Sequence, residues 1–313
     1  MLYLPGLGEP VEAGHNWRMA CARGGYAVVS IQTSKATAQW TTAAARSGDF
    51  AKVARDEFST AALAKRIECL NFVLQGIARR AAKRKAFYTY IDSTRIAVAG
   101  FDLGAQTALA LALAGESHPG LPRLPAFPAL RGVVAMSPHA ILVRGGFAER
   151  FVMVELPNLS ITATEDTDPY GLVDPPYARQ APFKLMPPGD KFLLVLEDGS
   201  HQALSGSIPA RPSGDQDGEM PGPPSKMGRG GGGPGMAGGR GGRGGMGGMH
   251  DAPPNEAMIR RFAAKGLQRQ SVIVEHVSLA FLDATAKFGP VAWDWLARNA
   301  TCWADPLAKL EPK

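Results

Sequence analysis

Short, largely apolar runs alternate along the chain with longer segments in which apolar residues recur every three or four positions. The runs lie at residues 1–4, 26–31, 96–99, 132–136, 159–162 and 192–196. Runs of this kind are typical of strands that are buried on both faces. The clearest periodic segment places Leu63, Ile67, Leu70, Leu74 and Ile77 on one helical face. Further helices are predicted at 17–23, from 105 onward, at 272–283 and at 291–297. Strands alternating with helices predict an α/β fold with a doubly wound, mostly parallel sheet.

One segment, residues 206–254, departs from this pattern. Gly, Pro, Met and Arg dominate it, and branched apolar residues are almost absent. Such a composition cannot bury enough surface to offset the conformational entropy lost on ordering, so we predict a disordered insertion. The apolar pattern resumes after the insertion. We therefore predict a single domain over residues 1–313 that is interrupted by this segment.

Composition narrows the classes of protein that the chain can represent. With 313 residues, of which 45% are hydrophobic, it can form a core without metals or disulfides. Its three cysteines are widely separated, which predicts neither a disulfide framework nor a metal site, and no other cofactor is expected. No apolar run is long enough to span a bilayer, and no signal peptide is evident. We therefore expect a soluble chain; its oligomeric state and localisation stay open.

The formal net charge of +6 raises the question of an anionic partner. Part of the basic excess lies at residues 79–85 and in an Arg-Gly tract near Arg240. A basic helix end followed by a basic loop is usually a solvated face, and neither an aromatic-rich sheet nor a zinc module accompanies the charge. We do not expect the folded part to bind nucleic acid.

The candidate chemistry begins in residues 95–114, which read RIAVAGFDLGAQTALALALA. An apolar strand, the turn Gly-Phe-Asp-Leu-Gly and an Ala/Leu-rich helix follow one another. This is the G-x-S-x-G strand-turn-helix pattern with Asp102 in the serine position. The flanking glycines allow a sharp reversal that holds the middle residue in a strained conformation at the end of the sheet. Asp102 is therefore the first candidate for a nucleophile.

Two polar stretches follow later predicted strands. The first is TATEDTDP at 162–169, and the second is EDGSH at 197–201. Because ligands of open α/β sheets gather at the carboxyl ends of strands, one carboxylate of the first stretch and His201 are expected beside Asp102. The carboxylates in question are Glu165, Asp166 and Asp168. The order nucleophile, acid, histidine is that of α/β-hydrolases.

Four ordered segments carry a resemblance to that superfamily. They are LPGLGEP near the start, RIAVAGFDLGAQTALALA, ITATEDTDP and LLVLEDGSHQALSG, and VSLAFLDATAKFGPVAWDWL adds a match to the closing helices. The chain resembles the dienelactone-hydrolase-like and platelet-activating-factor-acetylhydrolase-like group over nearly its whole length except the insertion. The resemblance implies that Asp102 is the elbow residue, Asp166 the acid and His201 the base, with Asp168 and Glu165 as alternative acids.

The resemblance also implies an oxyanion hole. It would consist of the backbone N–H of Leu103 together with one from the loop of Gly6 and Leu7. The chain departs from the group in having Asp102 for serine and Phe101 for the preceding histidine. A further departure is that no strands precede the oxyanion-loop strand. We therefore expect Met1 to be an internal start of a longer gene product, which could be secreted.

An aspartate at the elbow changes the expected reaction. Attack of a carboxylate on an ester carbonyl would give a mixed anhydride, whereas carboxylates are effective nucleophiles at saturated carbon. Haloalkane-dehalogenase-like and epoxide-hydrolase-like members of the fold use an aspartate in this way. We predict a hydrolase of a small ester-like or alkyl substrate, with Asp102, His201 and Asp166 as its catalytic residues. Candidates for contacting the leaving atom are Trp40, Tyr170 and Tyr177.

Two alternatives from other classes stay open. The first is a catalytically degenerate hydrolase-fold protein that binds a ligand in the former cleft. In that case Asp102 and Asp166 would both favour the imidazolium form of His201 and make it a poor base. The second is an RNA-associated protein that acts through the Arg-Gly tract at 228–248.

Overall fold

The protein is described by a computed structural model that covers residues 1–32, 42–113, 127, 129–139, 151–207 and 256–313. Of residues 256–265 it describes the helical backbone only. The predicted insertion at 206–254 lies almost wholly outside the described residues, as does Trp40.

Seven strands of the described residues form one sheet, in the order β2-β1-β3-β4-β5-β6-β7. The strands are β1 Leu2–Leu4, β2 Val29–Ser30, β3 Ile96–Phe101, β4 Leu130–Met136, β5 Asn158–Glu165, β6 Lys191–Ser200 and β7 Ala308–Pro312. Every neighbouring pair is parallel except the last. Since helices lie on both sides, the predicted α/β class and mostly parallel sheet are confirmed.

Ten α-helices belong to the described residues. They are α1 His15–Arg23, α2 Ala43–Arg46, α3 Phe50–Glu57, α4 Thr60–Ala82, α5 Leu103–Ala112, α6 Ala181–Leu185, α7 His201–Leu204, α8 Glu256–Ala286, α9 Pro290–Arg298 and α10 Ala300–Ala304. Short 3₁₀ helices occupy Ala86–Tyr90 and Pro176–Gln180. Within this part of the chain, no helix combines the length and the apolar character needed to cross a membrane.

The predicted stripe on the long helix α4 supplies part of the core. Leu63, Ile67 and Leu70 are at most 2% exposed, and they pack with β1, β3 and α5. Ser59 caps this helix by accepting a hydrogen bond from the N–H of Ala62 at 3.3 Å. Leu74, which was assigned to the same stripe, is only partly buried against it.

Alternate residues of the central strand β3 face opposite layers of the core. Ala97, Ala99 and Phe101 belong to the layer that contains α8 and α9. Val98 points to the layer formed with α4 and α5. This two-sided burial explains why β3 has no polar alternation in its sequence.

Two details of the sheet differ from expectation. The strand expected at 26–31 is reduced to Val29–Ser30, which is half-buried at one edge of the sheet that the described residues form and pairs there with β1. The antiparallel strand β7 was not predicted; it pairs with β6 in the register Leu194↔Leu310. Its sequence, Ala-Lys-Leu-Glu-Pro, has one face buried and one exposed, as is typical of an edge strand.

Candidate active site at the carboxyl ends of the strands

The turn between β3 and α5 holds Asp102 in an unusual backbone conformation. Its φ is 50° and its ψ is −107°, a region that L-residues adopt only under constraint from their surroundings. The two glycines of the motif permit this turn because the backbone segments approach closely. A Cβ on Gly100 would lie 2.3 Å from the carbonyl of Gly104, and one on Gly104 would lie 2.0 Å from the carbonyl oxygen of Leu4.

The Asp102 carboxylate is 2% exposed and its two oxygens differ. Oδ2 accepts a hydrogen bond from the N–H of Leu7 at 3.4 Å. Oδ1 is buried and has no hydrogen-bond partner among the described residues. Burial raises the pKa of Asp102, although the positive charges of His201 and Arg179 oppose this effect. One oxygen therefore accepts a hydrogen bond, and the other is buried without one among the described residues.

His201 begins α7, directly after β6 ends, and its ring lies beside the elbow. Its Nδ1 is 2.8 Å from Oδ1 of Asp166, and its ring centroid is 4.8 Å from that of Phe101. Asp166 is completely buried and also accepts a hydrogen bond from Thr162 Oγ1 at 2.7 Å. Burial alone would raise the pKa of Asp166, but the hydrogen bond with His201 and the charge of Arg179 lower it.

Ser137 is a second neighbour of Nδ1 of His201. No motif in the sequence marks this residue. It follows β4 with a φ of 49°, and its Oγ donates to Oδ1 of Asp166 at 2.8 Å. The same Oγ lies 2.9 Å from Nδ1 of His201. Because the hydroxyl proton is directed to Asp166, both neighbours of Nδ1 are acceptors, which assigns the proton of a neutral imidazole to Nδ1. Nε2 is then the basic nitrogen.

Arg179 is a second residue that the sequence did not indicate. It lies in the 3₁₀ helix Pro176–Gln180 and is completely buried. Its Nε is 3.2 Å from Oδ1 of Asp166, and its Nη1 donates to the carbonyl of Ser137 at 3.1 Å and of Pro138 at 3.4 Å. Its Nη2 is 3.8 Å from Oδ1 of Asp168. One guanidinium thus faces two buried carboxylates.

The three carboxylates proposed as acids occupy different places. Asp166 contacts His201. Asp168 is turned into its own loop, where its carboxylate accepts hydrogen bonds from the N–H groups of Tyr170 at 3.2 Å, Val173 at 2.9 Å and Leu172. Glu165 is exposed at the end of β5. The geometry therefore favours Asp166 over the other two, although its role stays a prediction.

The N–H groups expected in the oxyanion hole are only partly available. That of Leu7 points to Asp102, and Leu103 is the first residue of α5, so its N–H has no partner within the helix. The N–H of Gly6 instead donates to Oε2 of Glu9 at 2.8 Å. Leu7 and Leu103 are therefore the better pair of donors.

Glu9 places a further carboxyl group close to Asp102 and His201, and no sequence motif indicates it. It is partly buried on the same loop as Gly6. Burial raises its pKa to about 7; the N–H of Gly6 and the charge of His201 oppose this shift, while the charge of Asp102 adds to it. Glu9 thus changes its charge near neutral pH.

A small apolar cluster covers the elbow. Its members are Leu7, Ala54, Phe58 and Leu103, with Tyr170 and Leu172 packed against them. The hydroxyl of Tyr170 donates to the carbonyl of Leu7 at 3.3 Å. Tyr177 is 67% exposed, and Trp40 lies outside the described residues. Of the two proposed leaving-atom contacts that the structure describes, Tyr170 packs against this cluster, and its hydroxyl is already hydrogen-bonded.

A cavity of about 450 Å³ adjoins the loop of Gly6 and Gly8. Gly6, Gly8, Leu103 and Gly104 contribute to its wall, together with residues of α4. Asp102, Asp166 and His201 are not among its lining residues. The cavity therefore adjoins the candidate site without containing its reactive groups.

The fold and the site together define an α/β protein with a hydrolase-like sheet and a strained turn that presents an aspartate. In the part of the chain described above, no group of His, Cys, Asp and Glu side chains is arranged to hold a metal ion. Comparison with known proteins finds no protein-family model that matches the chain and no curated protein with significant sequence similarity.

Proposed function

We propose that the protein is a hydrolase that acts at a saturated carbon atom of a small alkyl substrate, with Asp102 as covalent nucleophile. The observation that carries this proposal is the asymmetry of the Asp102 carboxylate: Leu7 holds Oδ2, whereas the buried Oδ1 has no partner in the described part of the chain. We further propose kinship with the dienelactone-hydrolase-like group of α/β-hydrolases, on the sequence segments quoted above.

In the first step, Oδ1 of Asp102 attacks the carbon atom that bears the leaving group. A bond forms between Oδ1 and carbon, and the bond from carbon to the leaving atom breaks with its electron pair on that atom. The product is an alkyl ester of Asp102. A carboxylate needs no general base to become a nucleophile. The absence of a hydrogen bond between His201 and Asp102, as far as the described residues extend, is consistent with this step.

In the second step, His201 activates water. Nε2 of His201 takes a proton from a water molecule, whose oxygen adds to the carbonyl carbon of the Asp102 ester. Negative charge then develops on the former carbonyl oxygen, where the N–H groups of Leu7 and Leu103 are suited to stabilise it. Collapse of this intermediate releases the alcohol, which takes its proton from His201, and leaves Asp102 as a carboxylic acid. Loss of the acid proton to solvent regenerates the Asp102 carboxylate.

Asp166 and Arg179 support His201 in this scheme. Asp166 fixes the proton on Nδ1 and stabilises the imidazolium that forms during water attack. Arg179 keeps Asp166 ionised, since its guanidinium is 3.2 Å from Oδ1. The guanidinium also limits the net negative charge around the imidazole.

A ligand-binding protein without catalysis is the second candidate. The burial of Asp102 favours it, because this carboxyl is 2% exposed and burial raises its pKa, whereas a nucleophile requires the ionised form. An RNA-associated function would depend on residues 228–248, which lie outside the described residues.

Turnover of a panel of small bromoalkanes, epoxides and esters by the wild type and by Asp102→Asn tests the proposal. Asparagine keeps the shape of the side chain and tolerates positive φ, but it cannot form the ester intermediate. We expect the wild type to hydrolyse at least one bromoalkane or epoxide and the variant to be inactive. A folded wild type that forms no product from any member of the panel would favour the binding protein.

A gain-of-function variant tests the remaining site independently. Asp102→Ser restores the hydroxyl of the G-x-S-x-G pattern, so we expect it to create or increase esterase activity through His201 and Asp166. If this variant folds and is inert towards every ester, the roles assigned to His201 and Asp166 are wrong.

A further inference from the structure

His139 is a buried histidine that the scheme above does not use. It lies three residues after the end of β4, at the same edge of the sheet as Asp102, and is 1% exposed. Neither of its ring nitrogens has a hydrogen-bond partner among the described residues. Because an unpaired buried polar group opposes folding, such a group at a strand end calls for a functional reason.

Packing connects His139 to the elbow. Its ring stacks on Phe58, with centroids 3.9 Å apart and an interplanar angle of 18°. Phe58 in turn belongs to the apolar cluster with Leu7 and Leu103, the two residues that flank Asp102 in space and in sequence. Arg179 and Asp168 act electrostatically on both His139 and Asp102. His139 and Asp102, whose ring nitrogens and Oδ1 lack hydrogen-bond partners in the described residues, therefore both adjoin this apolar cluster.

Burial fixes the protonation state of this ring. It lowers the pKa of His139 to about 3; the charges of Arg179 and Arg66 contribute in the same direction, and that of Asp168 opposes them. At neutral pH the ring is therefore uncharged, with one N–H donor and one acceptor nitrogen.

Arg179, which contacts the residue before His139, carries a second donor that the proposed scheme does not use. Nη2 of Arg179 is buried without a hydrogen-bond partner in the described part of the chain, its nearest carboxylate contact being the 3.8 Å ion pair with Asp168. Nη1 of the same guanidinium donates to the carbonyl of Pro138, the residue that precedes His139. His139 and Arg179, the latter cationic, thus each carry a buried nitrogen without a hydrogen-bond partner among the described residues. Paired donors of this kind suit a weakly hydrated anion.

We propose that His139 and Arg179 form a halide site that receives the leaving atom of a small haloalkane. The proposal rests on the function proposed above and names its substrate class. As Oδ1 of Asp102 bonds to carbon, the carbon–halogen bond breaks, and the halide departs with the bonding pair towards the two N–H groups. No proton is transferred in this step. An epoxide fits less well, because its alkoxide requires an acid and a neutral imidazole is a weak one.

The variant His139→Phe tests the contribution of the two ring nitrogens. Phenylalanine keeps a ring against Phe58 and removes only the unpaired polar atoms. We expect this variant to fold and to melt about 2–4 °C above the wild type, because unpaired buried polar groups are lost. A histidine with a structural role would instead lose stability on this substitution.

Halide binding is measured through thermal stability, without reference to turnover. In sodium bromide, compared with sodium fluoride of equal concentration, the wild type should show a saturable rise in Tm that His139→Phe lacks. With a bromoalkane as substrate, the variant should lose about 10²-fold in kcat, as on removal of one donor in an oxyanion hole. An identical bromide effect in both proteins would overturn the halide site.

Two further outcomes separate this inference from the proposed function. If the wild type binds bromide through His139 but hydrolyses no bromoalkane, the halide site stands and the proposed hydrolase is wrong. If the wild type hydrolyses bromoalkanes or epoxides and shows no bromide effect, the hydrolase stands and the halide site is wrong. Should His139→Phe fail to fold, anomalous scattering from bromide-soaked wild-type crystals decides: a peak within hydrogen-bond distance of His139 supports the site, and its absence there overturns it.

Discussion

Two arginines lie close to the turn that carries Asp102, and their partners differ in kind. Arg66, on α4, donates to Thr107 Oγ1 at 2.9 Å, to Gln106 Oε1 at 2.6 Å and to the carbonyl of Glu57 at 2.7 Å. All three acceptors are neutral. Arg179 donates to backbone carbonyls as well, but it also faces the carboxylates of Asp166 and Asp168.

This difference indicates a mainly structural role for Arg66 and an electrostatic role for Arg179. Burial lowers the pKa of Arg66 to about 10, and the charges of Glu57 and Asp102 oppose this shift. The charge of Arg179, by contrast, lowers the pKa of Asp166. Substitution of Arg66 should therefore affect mainly stability, whereas substitution of Arg179 should affect both stability and the chemistry of His201.

The largest effect is expected for Arg179→Gln. Removing the guanidinium leaves two buried carboxylates without a counter-charge, which should lower the free energy of unfolding by about 3–5 kcal/mol. Urea unfolding measures this loss. Arg179→Lys is the matched control, since it keeps the charge but not the planar fork, and it should recover part of the stability. If the Gln variant is as stable as the wild type, the carboxylates do not depend on Arg179.

A smaller and mainly structural effect is expected for Arg66→Gln. Its three neutral acceptors lose their donor, so the free energy of unfolding should fall by about 1–3 kcal/mol. Turnover per folded molecule should change less than twofold, measured on the substrate that the panel identifies. A large loss of kcat with intact folding would contradict the division of roles between the two arginines.

Glu9 gives a pH-dependent prediction of similar size to that for Arg66. Its pKa is raised from 4.5 to about 7 in the folded protein, so between these values the folded state binds more protons than the unfolded state. Its contribution to stability is therefore complete below pH 4.5 and is lost as the pH rises through 7. Relative to Glu9→Gln, the wild type should lose about 2 kcal/mol between pH 5 and pH 8. Urea unfolding of both proteins at the two pH values measures this difference; a constant difference would contradict the raised pKa.

Much of the central architecture was predictable because it depends on local pattern. The apolar run and glycine turn of 95–114 specified β3, the elbow and α5, and the same kind of run placed Asp166 and His201 at neighbouring strand ends. The short edge strands were predicted poorly, because few of their residues are buried on both faces. Strand β7, for example, buries only Ala308 and Leu310.

The groups that set the electrostatics of the site were not predictable from local pattern. Arg179 reaches Asp166 from a 3₁₀ helix 13 positions later in the sequence, and no periodicity marks a buried arginine. Ser137 and His139 follow β4 without a recognisable motif, and their importance depends on what tertiary packing places beside them. Their partners come from other strands and helices, which a single sequence does not align.

The central claim is that Asp102 forms a covalent ester that water hydrolyses at the carboxyl carbon. Multiple turnovers in water enriched in the heavy isotope of oxygen, followed by mass analysis of the peptide that contains Asp102, test this claim directly. The account predicts heavy oxygen in the Asp102 carboxylate of the wild type, and none in a His201→Ala variant that stops at the ester. Product formation with an unlabelled Asp102 would contradict it.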